Sequence, residues 1–410
     1  MYDDGCVPDL LAVADDLSGA CEVAAALGGP GSSVLLGGPV DGSSAGRVAV
    51  VDLDCRYADP GTAEAETART LAASEPGADL FVKIDSLLRG NVAAAVRAAL
   101  ALGRPAVLAP ALPESGRVVR DGVPIVRGVP LPDTGLWLAE LRRPPATVQE
   151  ALDDVPAEVV PLDVVRSGPA VLRRRLQLLA ERGRLAIVDG VADPDLDALV
   201  AAAWGSAGGP GPVLLGSAGL AAAIGRRPPG LPPFASIETA GGPPLVVVGS
   251  GSEAASRQFR RLVEEVDCIA VELDAARLLA EPGEAVAAVA AAARRSASAV
   301  AVRVQWPIGL GVGSGPAVTE AFAAVLADAL GAVPQRPVAL IGGATARGVL
   351  DRLGVRRLTV LGSLPAGAVV SRTDGGATIV TRPGSFGEDG HLIDILRTGF
   401  GRLDLGPRQA

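Results

Sequence analysis

Histidine is nearly absent from this sequence of 410 residues, because His391 is the only one. Zinc sites with two or three histidine ligands are therefore excluded, and a Ser-His-Asp triad would have to use that single residue. The four cysteines form no CxxC pair and match no zinc pattern. We expect them to be reduced and mostly buried thiols; they are Cys6, Cys21, Cys55 and Cys268.

Aromatic residues make up only 3% of the chain, whereas apolar residues make up 49%, so the cores must be built from Ala, Val and Leu. A net charge of −9 with so few aromatics argues against a nucleic-acid-binding protein. No polybasic run suggests a membrane-surface partner, and no apolar run approaches the ~18 residues of a membrane span. The acidic start MYDDG has no signal-peptide character, so we expect a cytoplasmic protein.

Lysine is as scarce as histidine, since Lys83 is the one lysine among 37 lysine and arginine residues. The sequence uses arginine wherever a generic cation suffices, and ammonium and guanidinium groups differ in geometry. We therefore single out Lys83 as a candidate functional residue. The alternative that it is an ordinary cation stays open at this point.

Short apolar runs alternate with helical stretches along the chain. Predicted strands at 9–14, 48–52 and 80–84 are each followed by a helix, and the same rhythm restarts after residue 244. Strands that alternate with helices of about 10–15 residues indicate βαβ units and a mainly parallel sheet. The sequence therefore predicts an α/β fold with two domains, each a mainly parallel sheet flanked by helices.

The best candidate linker is the segment 226–244, which is dense in Pro and Gly and lacks apolar periodicity. The chain length also favours two domains, at about 100–200 residues per domain. We predict an N-terminal domain over 1–225 and a C-terminal domain over 245–410.

Polar side chains follow the first three predicted strands of the N-terminal half. In open α/β sheets, ligands bind beyond the carboxyl ends of the strands. If the three strands are neighbours, these carboxylates and cations converge on one crevice. They are Asp15 and Asp16 at the end of the first strand, Asp52, Asp54 and Arg56 near the end of the second, and Lys83, Asp85, Ser86 and Arg89 at the end of the third.

Simpler roles remain open for some of these residues. Ser18 or Asp16 would cap the helix that starts there, and Ser86 or Asn91 would cap a later one. Arg56 would form a surface salt bridge. Capping and ligand binding are compatible, because a helix start offers free N–H groups to an anion.

The C-terminal half has glycine turns after its predicted strands, at 249–252, 342–345 and 383–387, instead of charged clusters. Glycine lets backbone N–H groups approach a phosphate closely, and Ser and Thr hydroxyls add hydrogen bonds. An ordinary tight turn is the alternative for each of them. The sequence contains no Walker A motif, and no GxGxxG opens a strand–helix unit, which argues against an NAD-dependent dehydrogenase.

Taken together, these motifs resemble the four-carbon acid sugar kinases. The segments ADDLSGA at 14–20 and KIDSLLRGN at 83–91 are the most specific, and the glycine turns follow in the family's order over nearly the whole chain. The resemblance implies an N-terminal sugar-acid-binding domain and a C-terminal nucleotide-binding domain. It implies ATP-dependent phosphorylation of small acids such as erythronate, threonate and 3-oxo-tetronates.

The resemblance also assigns residues to the two ligands. The loop that usually reads GGET has Ala344 here, Leu87 replaces a Thr in KIDSTLRGN, and Arg382 stands where the family often has Lys. We expect the acid to be bound by Asp15, Arg56, Lys83, Ser86 and Arg89, with Asp16 and Asp85 as catalytic candidates. We expect the nucleotide to be bound by Ser252, Gly343, Ala344, Thr345, Ala346 and Gly384.

The predicted function is an ATP-dependent kinase that phosphorylates a hydroxyl group of a small, about four-carbon, sugar acid. Asp16 or Asp85 would accept the hydroxyl proton, Arg89 would hold the carboxylate, and Lys83 would offset negative charge. Mg²⁺ would be held mainly by the nucleotide, without a dedicated protein site. A homo-oligomer is compatible with the sequence. A non-catalytic sugar-acid-binding protein on the same fold remains the alternative, because Ala344 replaces the family's Glu.

Overall fold

The structure is a computed structural model that describes residues 9–38, 48–137, 140, 142–204, 211–227, 243–296, 298–305, 314–333 and 336–400. Most of the predicted linker at 226–244 lies outside these residues. The chain divides into two compact units. The N-terminal unit holds the described residues within 1–28 and 37–232, and the C-terminal unit holds those within 29–36 and 233–410.

The first part of the chain alternates strands and helices from residue 10 to residue 225. Its strands are β1 (Leu10–Ala14), β2 (Ser33–Leu36), β3 (Val48–Asp52), β4 (Asp79–Lys83), β5 (Ala106–Ala109), β6 (Arg117–Arg120), β7 (Val123–Val126), β8 (Val129–Pro130), β9 (Ala157–Val160), β10 (Leu185–Val188) and β11 (Val213–Gly216). Its helices are α1 (Leu17–Gly28), α2 (Pro60–Ala72), α3 (Val92–Leu100), α4 (Leu162–Val165), α5 (Pro169–Glu181), α6 (Asp193–Trp204) and α7 (Ala218–Gly225).

A parallel sheet with the strand order β3-β1-β4-β11-β5-β10-β9 forms the centre of the N-terminal unit. Its inner strands are short continuous apolar runs, such as LLAVA in β1, and every residue of β1 is buried. Such runs are typical of parallel strands that are covered on both faces by helices. Helices must cover both faces of such a sheet, which explains why strands and helices alternate along the sequence.

A small antiparallel sheet, β6-β7-β8, belongs to the same unit. It is tied to the region just after β10 by Asp189, whose carboxylate accepts hydrogen bonds from the backbone N–H groups of Asp121 (2.6 Å) and Gly122 (3.0 Å). A bridge between Val119 and Gly190 adds to this connection. The attachment fixes where β6 lies, and β6 begins at Arg117.

The second part of the chain repeats the α/β pattern from residue 245 to residue 398. Its strands are β12 (Leu245–Val248), β13 (Cys268–Asp274), β14 (Ala299–Gln305), β15 (Val338–Ile341), β16 (Arg357–Leu364), β17 (Ala368–Thr373) and β18 (Thr378–Arg382). Its helices are α8 (Glu253–Glu265), α9 (Ala275–Ala280), α10 (Pro282–Arg295), α11 (Ser314–Gly331), α12 (Gly343–Arg352) and α13 (His391–Thr398).

The sheet of the C-terminal unit has the order β13-β14-β12-β15-β18-β17-β16-β2. The strands from β13 to β18 in this order are parallel, whereas β17 and β16 form an antiparallel extension. The last strand, β2, comes from the N-terminal part of the chain and pairs antiparallel with β16, with Leu35 opposite Arg357. The segment 29–36 therefore belongs to the C-terminal unit, which the predicted division at 225 did not anticipate.

The predicted α/β fold with mainly parallel sheets is confirmed. The strand predicted at 48–52 has the observed bounds. The pattern missed β2 and the small sheet, because strands of two to four residues show no clear periodicity. Helix α12 begins at Gly343, within the segment 342–345 where the sequence predicted a glycine turn. No helix in the described part of the chain is long and apolar enough to cross a membrane.

Candidate functional site

Three neighbouring parallel strands of the N-terminal unit end side by side. Ala14, at the end of β1, lies in register with Asp52 of β3 on one side and with Lys83 of β4 on the other. The residues that follow these strands therefore leave the sheet at one edge, where open α/β sheets bind their ligands. The structure brings the predicted polar residues of this half together at that edge.

Arg56 bridges the two carboxylates that follow β1. Its Nε and Nη2 donate to Asp15 at 2.8 and 2.7 Å, and Nη2 also donates to Asp16 Oδ1 at 2.8 Å. Only 12% of the Arg56 side chain is exposed, so this is not the surface salt bridge that the sequence left open. Burial acts to lower the pKa of Arg56, but the two aspartates outweigh burial and raise that pKa well above its ordinary value.

The loop that carries Arg56 is held by the segment after β4. Asn91 Nδ2 donates to the carbonyl oxygens of Cys55, Arg56 and Ala58 at 2.9, 3.3 and 2.9 Å. Asn91 occupies the N-cap position of α3, but its side chain makes no capping bond to that helix. Gly90 has a φ of +78°, and a Cβ there would lie 2.7 Å from Arg56 Cγ, so this position favours glycine on both grounds.

Asp16 combines its ion pair with a helix cap. Its Oδ1 accepts a hydrogen bond from the Gly19 backbone N–H at 3.0 Å, which satisfies one of the free amides at the start of α1. Ser18, the other candidate cap, has a buried Oγ without a hydrogen-bond partner among the described residues. Burial acts to raise the pKa of Asp16, but Arg56 and Lys83 together with the cap lower it below its ordinary value.

Asp85 and Arg89 form a second, bidentate ion pair. Arg89 Nε and Nη2 donate to the two oxygens of Asp85 at 2.7 and 2.8 Å, and the Leu87 backbone N–H donates to Asp85 Oδ2 at 3.1 Å. Burial opposes the charge on Asp85, but Arg89 holds the pKa of this carboxyl well below its ordinary value. Arg89 Nη1 makes no hydrogen bond to any residue that the structure describes.

Lys83 is buried near Asp16, with 5% of its surface exposed, so it is not an ordinary surface cation. Its Nζ donates to the Ile84 carbonyl at 2.9 Å. A Cβ on Gly19 would lie 2.9 Å from Lys83 Nζ and 2.7 Å from Asp16 Oδ1. The missing side chain at Gly19 therefore makes room for the ammonium group over the first turn of α1.

The structure adds two residues that the sequence analysis missed. Arg117, at the start of β6, is 7% exposed and donates from Nη1 to Ser86 Oγ at 2.7 Å; burial lowers its pKa to about 10. Glu22 lies half-buried on α1, and burial raises the pKa of its carboxyl to about 7 against the opposing effect of Lys83. A signal for Glu22 was present, because it is the one acidic residue in the small apolar run of α1.

We call this group of side chains the strand-end cluster. It contains four cationic side chains, three aspartates and Glu22, and most of these charges are paired with one another. Fixed guanidinium donors of this kind suit a small anionic ligand. Its members are Asp15, Asp16, Glu22, Arg56, Lys83, Asp85, Ser86, Arg89 and Arg117.

The C-terminal unit brings its glycine turns together in the same manner. Strands β12, β15 and β18 are adjacent and parallel, so the turns after them meet at one edge. Ser252 caps α8, where its Oγ accepts from the Ala255 backbone N–H at 3.2 Å and donates to the Gly384 carbonyl at 3.1 Å. The cap thereby links the first and third turns.

The first turn of α12 supplies the second set of groups. The Ala346 backbone N–H already donates to the Gly342 carbonyl at 3.0 Å, which leaves the amides of Gly343, Ala344 and Thr345 as the helix-start donors. The side chains of Thr345 and Ala346 are buried, whereas the Ala344 methyl group is exposed. Because the Ala346 N–H is already used within the helix, Ala346 would affect ligand binding only through its position.

Arg382 lies fully buried at the end of β18. Its Nη2 donates to Gln258 Oε1 at 2.5 Å, while its Nε and Nη1 have no hydrogen-bond partner among the described residues. Burial lowers its pKa to about 10. The guanidinium lies against the third glycine turn, since a Cβ on Gly387 would lie 3.0 Å from Arg382 Nη1. The helix starts and glycine turns at this edge suit the phosphates of a nucleotide.

We expect Gly249→Ala to destabilise the C-terminal unit by about 1–3 kcal/mol, because the new Cβ would overlap Oγ1 of the buried Thr345. Thr345 is β-branched and cannot easily rotate away. Urea unfolding measures the change. Gly283→Ala is the matched control, since a Cβ there meets nothing within 4 Å. Equal stability of the two variants would contradict the close packing of this turn.

No three His, Cys, Asp or Glu side chains in the described part of the chain are grouped as metal ligands. A Mg²⁺ ion brought in by a nucleotide would use phosphate and water oxygens, as Mg²⁺ prefers.

Comparisons with known proteins match both units. The family model of a sugar-binding N-terminal domain covers residues 10–224, and that of a nucleotide-binding C-terminal domain covers residues 245–392. A D-threonate kinase of Cupriavidus necator is 32% identical over 93% of this chain and 96% of its own length. A 3-oxo-tetronate kinase of Methylobacterium radiotolerans is 30% identical over 94% of this chain and 98% of its own length.

The fold is shared with a solved structure as well. A crystal structure of a protein from Salmonella typhimurium LT2 matches with a TM-score of 0.77 and 20% identity, over 96% of this chain and 99% of that chain. The family models, the two relatives and the motif order agree along nearly the whole sequence. The chain belongs to the four-carbon acid sugar kinase family.

Proposed function

We propose that this protein is an ATP-dependent kinase that transfers the terminal phosphoryl group of ATP to a hydroxyl group of a four-carbon sugar acid. The observation that carries the proposal is the strand-end cluster, a mostly buried set of paired charges at the carboxyl edge of the sheet in which Arg89 Nη1 is left without a partner among the described residues. The relatives are named as kinases of D-threonate, 3-oxo-tetronate and D-erythronate, which are small hydroxy acids.

The N-terminal unit, predicted over 1–225, would bind the acid. Arg89 Nη1, which the Asp85 pair leaves available, would donate a hydrogen bond to one oxygen of the substrate carboxylate, and Ser86 and Lys83 would donate to its oxygens as well. Asp15 and Asp16 would orient hydroxyl groups as hydrogen-bond acceptors, positioned by Arg56. Recognition by fixed, bidentate partners suits a small polar substrate.

The C-terminal unit, predicted over 245–410, would bind ATP at the edge formed by the three glycine turns. The backbone amides of Gly343, Ala344 and Thr345, the cap residue Ser252 and the turn at Gly384 would surround the phosphates. Mg²⁺ would accompany the phosphates and supply charge neutralisation when bound. Arg382 would add a fixed positive charge beneath the site.

A non-catalytic sugar-acid-binding protein remains the second candidate, because the exposed Ala344 occupies the position of a family Glu. The first candidate is tested by an ADP-release assay over a panel of four- to six-carbon aldonic and oxo-acids. We expect turnover with at least one four-carbon acid and none with the neutral polyol of the same stereochemistry. ATP binding without acid-dependent ADP release would favour the second candidate.

Arg89→Lys tests the carboxylate site. We expect a loss in kcat/KM equivalent to about 1.5–3 kcal/mol, because an ammonium group cannot pair with Asp85 and the substrate in the fork geometry. Steady-state kinetics on the identified acid measures the loss. Arg97→Lys is the control, since Arg97 makes a partly exposed ion pair with Glu64 away from the cluster. Equal kcat/KM values in the two variants would remove Arg89 from the site.

We propose a cytoplasmic location, since ATP is available there and a reducing compartment suits the buried thiols of Cys21 and Cys55. We predict neither a nucleic-acid nor a membrane partner. Assembly into a homo-oligomer stays a prediction, which light scattering would test.

A further inference from the structure

Glu22 differs from its neighbours on α1. The helix reads LSGACEVAAALG, and most of its residues are buried. Glu22 is half-buried in this otherwise small and apolar helix. A carboxyl group in that position loses hydration without contributing to the packing, so its presence calls for a chemical reason.

The helical spacing places Glu22 on the same face of α1 as Gly19. It lies one turn after Gly19, and side chains on a helix lean towards its N-terminus, where residues three and four apart share a face. Lys83 Nζ and Asp16 Oδ1 occupy the space above Gly19. The charges of Lys83 on β4, Asp16 after β1, Arg117 on β6 and Arg56 after β3 all act on the Glu22 carboxyl.

The other carboxylates of the cluster are already engaged. Asp15 and Asp16 accept hydrogen bonds from Arg56, and Asp85 accepts four from Arg89 and the backbone after it. Hydrogen bonds and cations that stabilise the ionised form make a carboxylate a poor proton acceptor. Glu22, by contrast, accepts no hydrogen bond from the described residues, so its oxygens are available to a ligand.

We propose that Glu22 is the general base of the phosphoryl transfer, a role that rests on the proposed kinase function. The substrate oxygen forms a bond to the terminal phosphorus of ATP as the bond from that phosphorus to the bridging oxygen breaks. The hydroxyl proton passes to a Glu22 carboxylate oxygen and leaves later to solvent. ADP keeps the electron pair of the broken bond. Asp16 and Asp85 then act as positioning residues, which revises the roles expected from sequence.

The ionisation of Glu22 suits this role. Burial raises the pKa of its carboxyl to about 7, and a general base is most effective when its pKa is close to the working pH. A fraction of the molecules would carry Glu22 ionised at neutral pH, and that fraction grows as the pH rises. The chain's single histidine, His391, lies on α13 in the C-terminal unit and is outside this cluster.

The test compares Glu22→Gln, Glu22→Asp and the control Glu181→Gln in the full-length protein, with the acid identified by the panel assay. Glu181 is exposed at the end of α5, so its variant removes the same charge from a remote surface. We expect Glu22→Gln to lose about 10²–10⁴-fold in kcat while retaining its affinity for ATP. Wild-type kcat/KM should rise with pH through about 7, and this rise should be absent in Glu22→Gln.

Glu22→Asp separates a base from a structural ion partner. It keeps a carboxyl group and should retain more activity than Glu22→Gln, together with a pH-dependent rise. A merely structural role would leave the wild-type pH profile in Glu22→Gln. Unchanged kcat in Glu22→Gln, or that retained profile, would overturn the proposal while the kinase function stands. Absence of acid-dependent turnover in the wild type would overturn the kinase function itself, and this inference with it.

Discussion

Replacing Arg56 with methionine is expected to lower the free energy of unfolding by about 3 kcal/mol at neutral pH. Arg56 neutralises Asp15 and Asp16, whose side chains are only 15% and 14% exposed. Without it, two adjacent carboxylates remain at the strand ends with one fewer cation between them. Removing one partner of a buried ion pair lowers the free energy of unfolding by more than the pair itself contributed, because the remaining charge stays desolvated.

Urea unfolding of Arg56→Met and Arg69→Met measures this effect. Arg69 pairs with Glu66 on the exposed face of α2, with 59% of its side chain accessible, so its loss should change stability by less than about 1 kcal/mol. Equal destabilisation by the two substitutions would contradict the buried network around Arg56. Arg56→Met/Asp15→Asn should recover part of the loss, since it removes one of the uncompensated charges.

The loss of unfolding free energy caused by Arg56→Met should also become smaller at low pH. The folded-state pKa of Asp16 lies below its ordinary value of 3.8, so the ion pair stabilises the fold above that pH. Its contribution is lost as the pH falls from that value through the folded-state pKa. Wild type and Arg56→Met should therefore approach each other in stability in acid. A constant difference across this range would mean that Arg56 acts through packing and not through charge.

Glu22→Gln is expected to make the protein more stable than wild type at mildly alkaline pH, by on the order of 2 kcal/mol. The pKa of Glu22 rises from an ordinary 4.5 to about 7 on folding, so the folded protein binds more protons than the unfolded chain between these values. In wild type, protonated Glu22 contributes its full share of stability below a pH of about 4.5. This contribution is lost as the pH rises through about 7. Glutamine does not ionise, so the variant does not lose this stability as the pH rises.

The measurement is urea unfolding of wild type and Glu22→Gln at several pH values, with Glu181→Gln as the control. The difference in unfolding free energy between Glu22→Gln and wild type should increase with pH. The same difference between Glu181→Gln and wild type should stay near zero. A difference that does not grow with pH would contradict a proton-binding Glu22. A variant that is more stable and less active would show that the site retains this carboxyl at the expense of stability.

Several parts of the fold were predictable from sequence because their causes are local. Strands such as LLAVA in β1 are continuous apolar runs, and the helices between them follow their own period. The polar residues at 15–16, 52–56 and 83–89 follow these strands directly, so a parallel sheet must bring them to one edge. The glycine turns at 249–252 and 342–345 are also visible as short motifs.

Other parts could not be predicted from local patterns. The transfer of 29–36 to the C-terminal sheet depends on the pairing of β2 with β16, which lies more than three hundred residues away. Asn91 stands at the N-cap position of α3, as its sequence context allowed, but its side chain donates to the carbonyl oxygens of a loop more than thirty residues earlier. Arg117 lies on β6, and the turn that follows β6 is held by hydrogen bonds to Asp189, which is far away in sequence. The place of Arg117 in the site therefore depends on this long-range contact.

The sequence by itself determined the α/β class, the strand-end positions of the charged residues and the family. These follow from periodicity and motifs that a few consecutive residues contain. Only the tertiary structure decided which carboxylates pair with which cations, because a pKa depends on burial and on charges contributed by distant segments. Asp16 and Asp85 are held ionised by Arg56 and Arg89, whereas Glu22 is left half-buried and without a hydrogen-bond donor among the described residues.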